Sequence, residues 1–320
     1  MAAARTRALK PAKSPRTMAS SSAERTIAFL PSERRRAASL APEESLWTWG
    51  DHDVHIARAR RPQAAARLLV VHGAGGHSGA LWPLAALLAE DGLDVTTLDL
   101  PLYGRTISRD PRGVRYDDWV RLLGDLVAAE NDGRPLILLG ASMGGMLAYE
   151  VAARSSHVAA VVATCLLDPR DPRARAHMTR YGRLGAAAGP LASLVRGPLR
   201  GAMVPMALVA KMSKMSRDPQ LSKLCAADPA GGGARVPLGF LASYLQYRHV
   251  APEKMRTPLT LAHPELDDWT PLSLSLRVAQ RTSDGSTVVV LRECGHFPIE
   301  EPGISDLREA ISEVANQLAE

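Results

Sequence analysis

Leu136-Ile137-Leu138-Leu139-Gly140-Ala141-Ser142-Met143-Gly144-Gly145 is the stretch on which the reading turns. Four consecutive aliphatic residues have the length and composition of a strand buried on both faces. They run directly into a serine set among glycines, and a helical pattern, Met143 to Arg154, follows at once. A serine on so sharp a strand-to-helix turn is lifted clear of the sheet, and glycine is needed beside it because side chains there would meet neighbouring backbone. The helix then points its first N–H groups, that of Met143 among them, at any oxyanion formed on a carbon attacked by Ser142. G-x-S-x-G by itself is a weak signal; its placement gives it force.

Working outward, short apolar runs alternate with helical patterns. Arg67–Val71, Val95–Leu98, Leu136–Leu139, Val158–Ala163, Leu259–Ala262 and Thr287–Leu291 read as buried strands, and Leu46–Ala59 as a β-hairpin around Gly50-Asp51-His52-Asp53. Leu81–Glu90, Asp117–Glu130 and Met143–Arg154 read as helices, and a last amphipathic helix begins after Pro302-Gly303. Such alternation predicts an α/β fold, a mostly parallel sheet covered on both faces, with its functional edge beyond the carboxyl ends of the strands. The alternation fails between Pro169 and Thr257, so residues 170–257 are expected to form a helical cap inserted between strands 6 and 7 of a core built from 41–169 and 258–320.

Three further loops at that edge carry chemistry. Val70-Val71-His72-Gly73-Ala74-Gly75-Gly76 ends a strand with small residues that let backbone approach a ligand; Ala74 N–H is the candidate second oxyanion donor and Gly75 its rival. Neither GxGxxG nor GxxxxGK[ST] is present, which weakens a phosphate-loop reading, and His72 is taken as structural. Serine needs an imidazole to accept its proton, and His296, in the loop between the last strand and the last helix, sits at the right edge to supply it. The imidazole needs a carboxylate to fix its tautomer. Asp267, after the strand Leu259–Ala262, is the first choice, Asp268 the alternative acid, and Glu265 and Asp168 lesser ones.

Taken together the chain resembles the α/β-hydrolase fold family, in a serine esterase or lipase-like member. The resemblance lies in the HG-x-G loop from His72 to Gly75, the Asp99-Leu100-Pro101-Leu102-Tyr103-Gly104-Arg105-Thr106 loop, the Ser142 elbow, the acid loop ending in Pro271 and the Gly295-His296-Phe297-Pro298 turn. It covers about residues 45–169 and 258–320, and the order Ser142, Asp267, His296 is the family's order. Leu102 stands where the family commonly has glycine, and His263-Pro264 replace small residues before the acid. The resemblance implies a hydrolytic member, since related dehalogenases and epoxide hydrolases carry aspartate at the elbow. Ester cleavage through an acyl-enzyme is the expected activity, with no cofactor. Carbon–carbon bond hydrolysis, thioester cleavage or acyl transfer on the same groups are the alternatives, and a non-catalytic ligand-binding protein is the alternative of another class.

Composition sets the outer limits. With 46% apolar residues over 320 positions the chain is not disordered as a whole, and no apolar run reaches the ~18 residues of a membrane span. The three cysteines, Cys165, Cys225 and Cys294, have neither metal-ligand spacing nor a disulfide pattern, so no metal site and a reducing, cytoplasmic setting are expected. The net charge of +6 is unevenly spread. Residues 1–40 carry nine Lys/Arg against two acids, and the segment reads as a disordered basic tail, with a transit peptide as the lesser reading. Residues 170–257 carry fifteen against four, and the remainder is acidic. Nucleic acid is not an expected partner. A small-molecule ester is, its acyl group lying against Gly75, Met203, Met206 and Met212. The basic cap is expected mainly to complement the acidic body, with lipid contact through Lys211, Lys214 and Arg217, beside the apolar face of one helix, ranked second. Oligomeric state is not legible.

Overall fold

The computed structural model describes residues 6–8, 22–283 and 285–319. Its sheet is built on β1 (Glu43–Trp49), β2 (His52–Ala59), β3 (Arg67–Val71), β4 (Asp94–Leu98), β5 (Leu136–Gly140), β6 (Ala160–Ala163), β7 (Leu259–Pro264) and β8 (Thr287–Leu291). These lie in the order β1-β2-β4-β3-β5-β6-β7-β8. The first pairings are antiparallel, and from β4 onward every neighbour is parallel. Thr6–Ala8 adds a short strand beside β1, and Ile107–Ser108 pairs with β2. In register, Gly140 faces Val71 on one side and Ala163 on the other, Ala163 faces Leu261, and Pro264 faces Leu291. Parallel strands ending in step put the loops that begin at 72, 141, 164, 265 and 292 on one rim.

The helices are α1 (Ser22–Ile27), α2 (Ser32–Ala38), α3 (Ser78–Glu90), α4 (Tyr116–Ala129), α5 (Met143–Ala152), α6 (Pro172–Met178), α7 (Ala188–Ala192), α8 (Pro219–Ala227), α9 (Leu238–Gln246), α10 (Leu272–Ala279) and α11 (Gly303–Gln317). Alternate strand residues face opposite ways, and both faces are buried. Leu69, Val71, Leu138, Val161 and Leu261 pack under α4, α5 and α10, whereas Leu68, Val70, Ile137, Leu139 and Val162 pack under α3 and α11. This is why the strands read as unbroken apolar runs.

From β6 to β7 the chain forms short elements only: α6 to α9, several 3₁₀ segments of three to six residues and a two-stranded antiparallel ribbon, Met203–Pro205 with Arg235–Pro237. Trp119 of α4 meets Phe240 of α9 with ring centroids 4.6 Å apart, and Tyr116 meets Tyr244 at 5.0 Å, so this segment is joined to the sheet through aromatic packing. Glu150 of α5, fully buried, accepts hydrogen bonds from the Tyr247 hydroxyl at 2.9 Å and the Val250 N–H at 2.7 Å.

Two expectations are corrected here. The disordered tail does not extend to residue 40: α1 and α2 fold onto α3, Leu30 and Ala38 are buried, and the Trp82 indole donates to the Leu40 carbonyl at 2.6 Å. Most of the remaining tail lies outside the described residues. Nor do Lys211, Lys214 and Arg217 line one helix. Met212–Lys214 is a single 3₁₀ turn, and Lys214 pairs with Asp268 at 3.0 Å. Among the described residues no helix is long and apolar enough to cross a membrane, and no group of three or more His, Cys, Asp or Glu could hold a metal ion.

Candidate active site

Ser142 ends the turn from β5 into α5 with φ +55° and ψ −125°, a conformation that strains any residue bearing a Cβ. Neighbouring backbone holds it there. The Gly144 N–H donates to the Ala141 carbonyl and the Gly145 N–H to the Ser142 carbonyl, each at 2.8 Å, while the Ser142 N–H donates to Thr164 Oγ1 at 3.1 Å. A Cβ at 140 would stand 2.3 Å from the Gly144 carbonyl oxygen, at 144 it would stand 2.3 Å from that of Val71, and at 145 it would stand 2.2 Å from that of Cys165. The glycines are therefore fixed by close approach of three strand ends to the start of α5.

His296 is buried in the loop after β8. Its Nδ1 lies 2.7 Å from Asp267 Oδ2, and its Nε2 has no hydrogen-bond partner. Asp267 Oδ1 accepts the N–H groups of Trp269 and Thr270, each at 2.8 Å, and Oδ2 also accepts the Thr270 hydroxyl at 2.5 Å. Burial alone would push this carboxyl up, but the imidazole and the Thr270 donors outweigh it and hold the group at about 2. A carboxylate so held fixes the imidazole with Nδ1–H donating and Nε2 left as the acceptor. Asp268 points the other way, 73% exposed and bound to Lys214. Glu265 accepts the Glu293 N–H at 2.9 Å and Asp168 the Arg170 N–H at 2.8 Å, so neither is turned to the imidazole. Thr270 and Trp269 carried no weight in the sequence, yet Thr270 grips the acid at both oxygens. The Trp269 ring lies 4.7 Å from that of His296, and its indole N–H donates to the Met178 carbonyl at the end of α6.

The loop after β3 lies against the elbow: a Cβ at 73 would be 2.8 Å from the Ala141 oxygen and 2.9 Å from the Met143 nitrogen. His72 is buried at its root. The Leu100 N–H donates to its Nε2 at 2.9 Å, its Nδ1 is 2.7 Å from the Gly73 carbonyl, and burial pushes its pKa down to about 4. It is a neutral brace with both ring nitrogens engaged on backbone groups. Asp99 supports the same loop by accepting the Ser78 N–H at 2.6 Å and the Arg105 N–H at 2.8 Å. Leu102, at φ +85°, keeps the left-handed backbone for which glycine is better suited.

Two cavities meet at the serine. A small one of about 70 Å³ is lined by Gly73, Ala74, Gly75, Ser142, Thr164 and His296, among others. A large one of about 370 Å³ leads from Ser142, Ala74 and Met143 past Met146, Met178, Met206 and Tyr244 to Leu184 and Leu191, and none of its lining residues is charged. Ala74 borders both and Gly75 only the small one. Of the methionines expected in the pocket, Met206 lines it. Met203 lies on the two-stranded ribbon and Met212 packs under Gly75 and Gly232, so neither borders the large cavity. Met146 and Met178 take that role; Met146 sits one helical turn beyond Met143 and so could have been found from the elbow alone.

A parallel sheet with a serine elbow and an imidazole–carboxylate pair on the same rim defines a hydrolase-type α/β protein. The model of the alpha/beta hydrolase family matches residues 68–304, and the chain belongs to that family. Among solved structures it is similar to a monoacylglycerol lipase of Paleococcus ferrophilus, with a TM-score of 0.65 and 20% identity over 83% of this chain and 99% of the lipase. A soluble variant of the Saccharomyces cerevisiae monoglyceride lipase, in complex with a substrate analogue, has a TM-score of 0.70 and 13% identity over 88% of this chain and 96% of that one. A thermostable carboxyl esterase of Bacillus coagulans has a TM-score of 0.63 and 17% identity over 88% and 100%. At such identities the likeness speaks for the fold. No curated protein matches the sequence. Fold and family together support a hydrolase.

Proposed function

We propose that the protein hydrolyses carboxylic esters bearing an extended apolar acyl group, through an acyl-enzyme on Ser142. His296 Nε2 takes the hydroxyl proton as Ser142 Oγ bonds to the ester carbonyl carbon, and the oxyanion receives hydrogen bonds from the Met143 and Ala74 N–H groups. As the tetrahedral intermediate collapses, His296 returns the proton to the departing alkoxide, leaving the acyl group on Oγ. A water, deprotonated by the same nitrogen, attacks the acyl carbon and releases the acid, and the proton returns to Oγ. Asp267 holds the imidazole's tautomer and stabilises the imidazolium formed in each half-reaction.

One observation carries this reading: Ser142 stands where an uncharged cavity of about 370 Å³ meets the small space it shares with a histidine whose Nε2 has no partner. An aliphatic chain finds a mostly apolar wall there, interrupted by the hydroxyl-bearing residues Thr179, Tyr181, Tyr244 and Thr270. The second carbonyl of a diketone would find few polar partners, which disfavours carbon–carbon cleavage. Two structural neighbours, a monoacylglycerol lipase and a carboxyl esterase, are named for ester cleavage, which supports ester substrates.

The test combines a fluorophosphonate label with a series of p-nitrophenyl acetate, butyrate, octanoate and laurate. Wild type should label and Ser142→Ala should not, with kcat/KM rising from acetate to octanoate. Absence of wild-type labelling would favour a non-catalytic binding protein. Labelling without turnover of any oxygen ester, alongside cleavage of a matching thioester, would replace the ester by a thioester.

A further inference from the structure

The 46 residues from Pro172 to Arg217 contain nine Lys/Arg and no Asp or Glu. Opposite an acidic body, such a segment would be expected to form ion pairs across the interface. Among the described residues only one of the nine, Lys214, meets a carboxylate. Arg175 is buried and donates to the carbonyls of Pro169, Arg170 and Ala186, which pins the turn that follows α6. Arg180 and Arg196 donate only to the carbonyls of Ala207 and Ser193. Direct complementarity to the body therefore does not account for this charge.

Exposed apolar side chains gather in the same segment. Of the eleven large ones exposed among the described residues, six lie between 181 and 208: Tyr181, Leu184, Leu191, Leu194, Leu199 and Leu208, with Leu184 80% exposed. Tyr181, Leu184 and Leu191 also line the large cavity. Ala192, Val195 and Ala242 border that cavity on one side and an open groove of about 740 Å³ on the other, where Arg196, Arg200 and Arg248 face a single acid, Asp117, and Arg154 is already paired with Glu150.

We infer that residues 180–208 seat on an anionic lipid bilayer, with the leucines entering the acyl region and the arginines lying among headgroup phosphates, so that a lipid ester passes from the bilayer into the cavity. Interleaved leucine and arginine is the pattern an interface rewards, since each apolar side chain leaves water while each cation stays at the phosphate level. A second copy of the chain would bring an identical cationic face against this one. A nucleic acid would meet the arginines and leave the leucines in water. The inference rests on the ester-hydrolase reading only for what enters the cavity; docking itself is measured on protein without the nucleophile.

Ser142→Ala protein is sedimented with vesicles of phosphatidylcholine alone and with one-quarter phosphatidylglycerol. Binding to the anionic vesicles is expected to be at least about tenfold stronger, and to weaken as salt is raised from ~0.05 to ~0.5 M. Adding Arg196→Glu and Arg200→Glu should weaken the anionic binding by about fivefold or more per arginine. Adding Leu194→Asp and Leu199→Asp should remove binding to both vesicle types. Thermal melting verifies that each variant is folded, and Leu194→Ser with Leu199→Ser replaces the aspartates if they are not. The inference is overturned if wild-type surface fails to bind the anionic vesicles, if both sets of folded variants bind as the parent does, or if light scattering without lipid shows a dimer that the leucine changes dissolve. Vesicle binding by a protein inactive on every ester would sink the proposed activity and leave the docking in place.

Discussion

Asp267 and Asp268 carry the same functional group on adjacent residues, and what separates them is a peptide nitrogen. From Asp267 the residues two and three further on, Trp269 and Thr270, both offer N–H groups, and both donate to Oδ1. From Asp268 the third residue is Pro271, which has none. That difference was present in the sequence, as a turn signal rather than as a matter of charge. Asp267→Asn is therefore expected to lower kcat by ~10³- to 10⁴-fold, because the amide no longer fixes the imidazole, whereas Asp268→Asn should leave turnover within about twofold; parallel ester assays decide. The low pKa of Asp267 has a consequence for acid stability. A carboxyl whose folded pKa is about 2, below its unfolded value, adds stability above roughly pH 4 that is lost as pH falls toward 2. Acid unfolding of Asp267→Asn should lack that component, on the order of 2 kcal/mol, and identical acid profiles would contradict the argument. The serine itself stores strain at φ +55°. Both Ser142→Gly and Ser142→Ala are expected to abolish activity on the proposed mechanism, but only glycine relaxes the backbone, so the glycine variant should be the more stable by about 1 kcal/mol in urea titrations.

Elements whose pattern is local were legible, and elements that depend on distant partners were not. β5 and the start of α5 are written in ten residues, because burial on both faces demands an aliphatic run and the close backbone approaches demand glycine. α1 and α2, of six and seven residues, are too short to display a period and too short to stand alone. They exist because α3 offers a surface for Leu30 and Ala38, and the Ala-, Arg- and Ser-rich composition around them hid that. The segment from β6 to β7 was recognisable only as a break in the alternation, since short 3₁₀ segments and helices of five to nine residues leave little repeat to read. Leu30→Ala should then cost about 2–4 kcal/mol of unfolding free energy, a value expected of core leucines. If residues 22–38 were a tail merely resting on the surface, the loss would be near zero, and denaturant titration tells the two apart.

At the scale of the whole molecule, the proposed function draws its reactive groups from one side of the sheet rim and its substrate space from the short elements between β6 and β7. Substrate preference should therefore answer to changes far from Ser142 along the chain. Ala192 sits in the wall between the large cavity and the arginine-lined groove, and it is buried. Ala192→Phe puts a ring into existing empty volume, so the strain of overpacking is avoided while room for the acyl chain is lost. A long chain forced to leave two methylenes in water loses ~0.8 kcal/mol for each, and this amounts to about tenfold in kcat/KM. A short acyl group that never reaches the wall loses far less. The ratio of laurate to acetate turnover should fall by about tenfold or more in the variant, with labelling of Ser142 by a small fluorophosphonate retained. A ratio unchanged in a folded, fully labelled protein would mean that the acyl chain does not lie in this cavity, and the assignment of an extended apolar acyl group would fall with it.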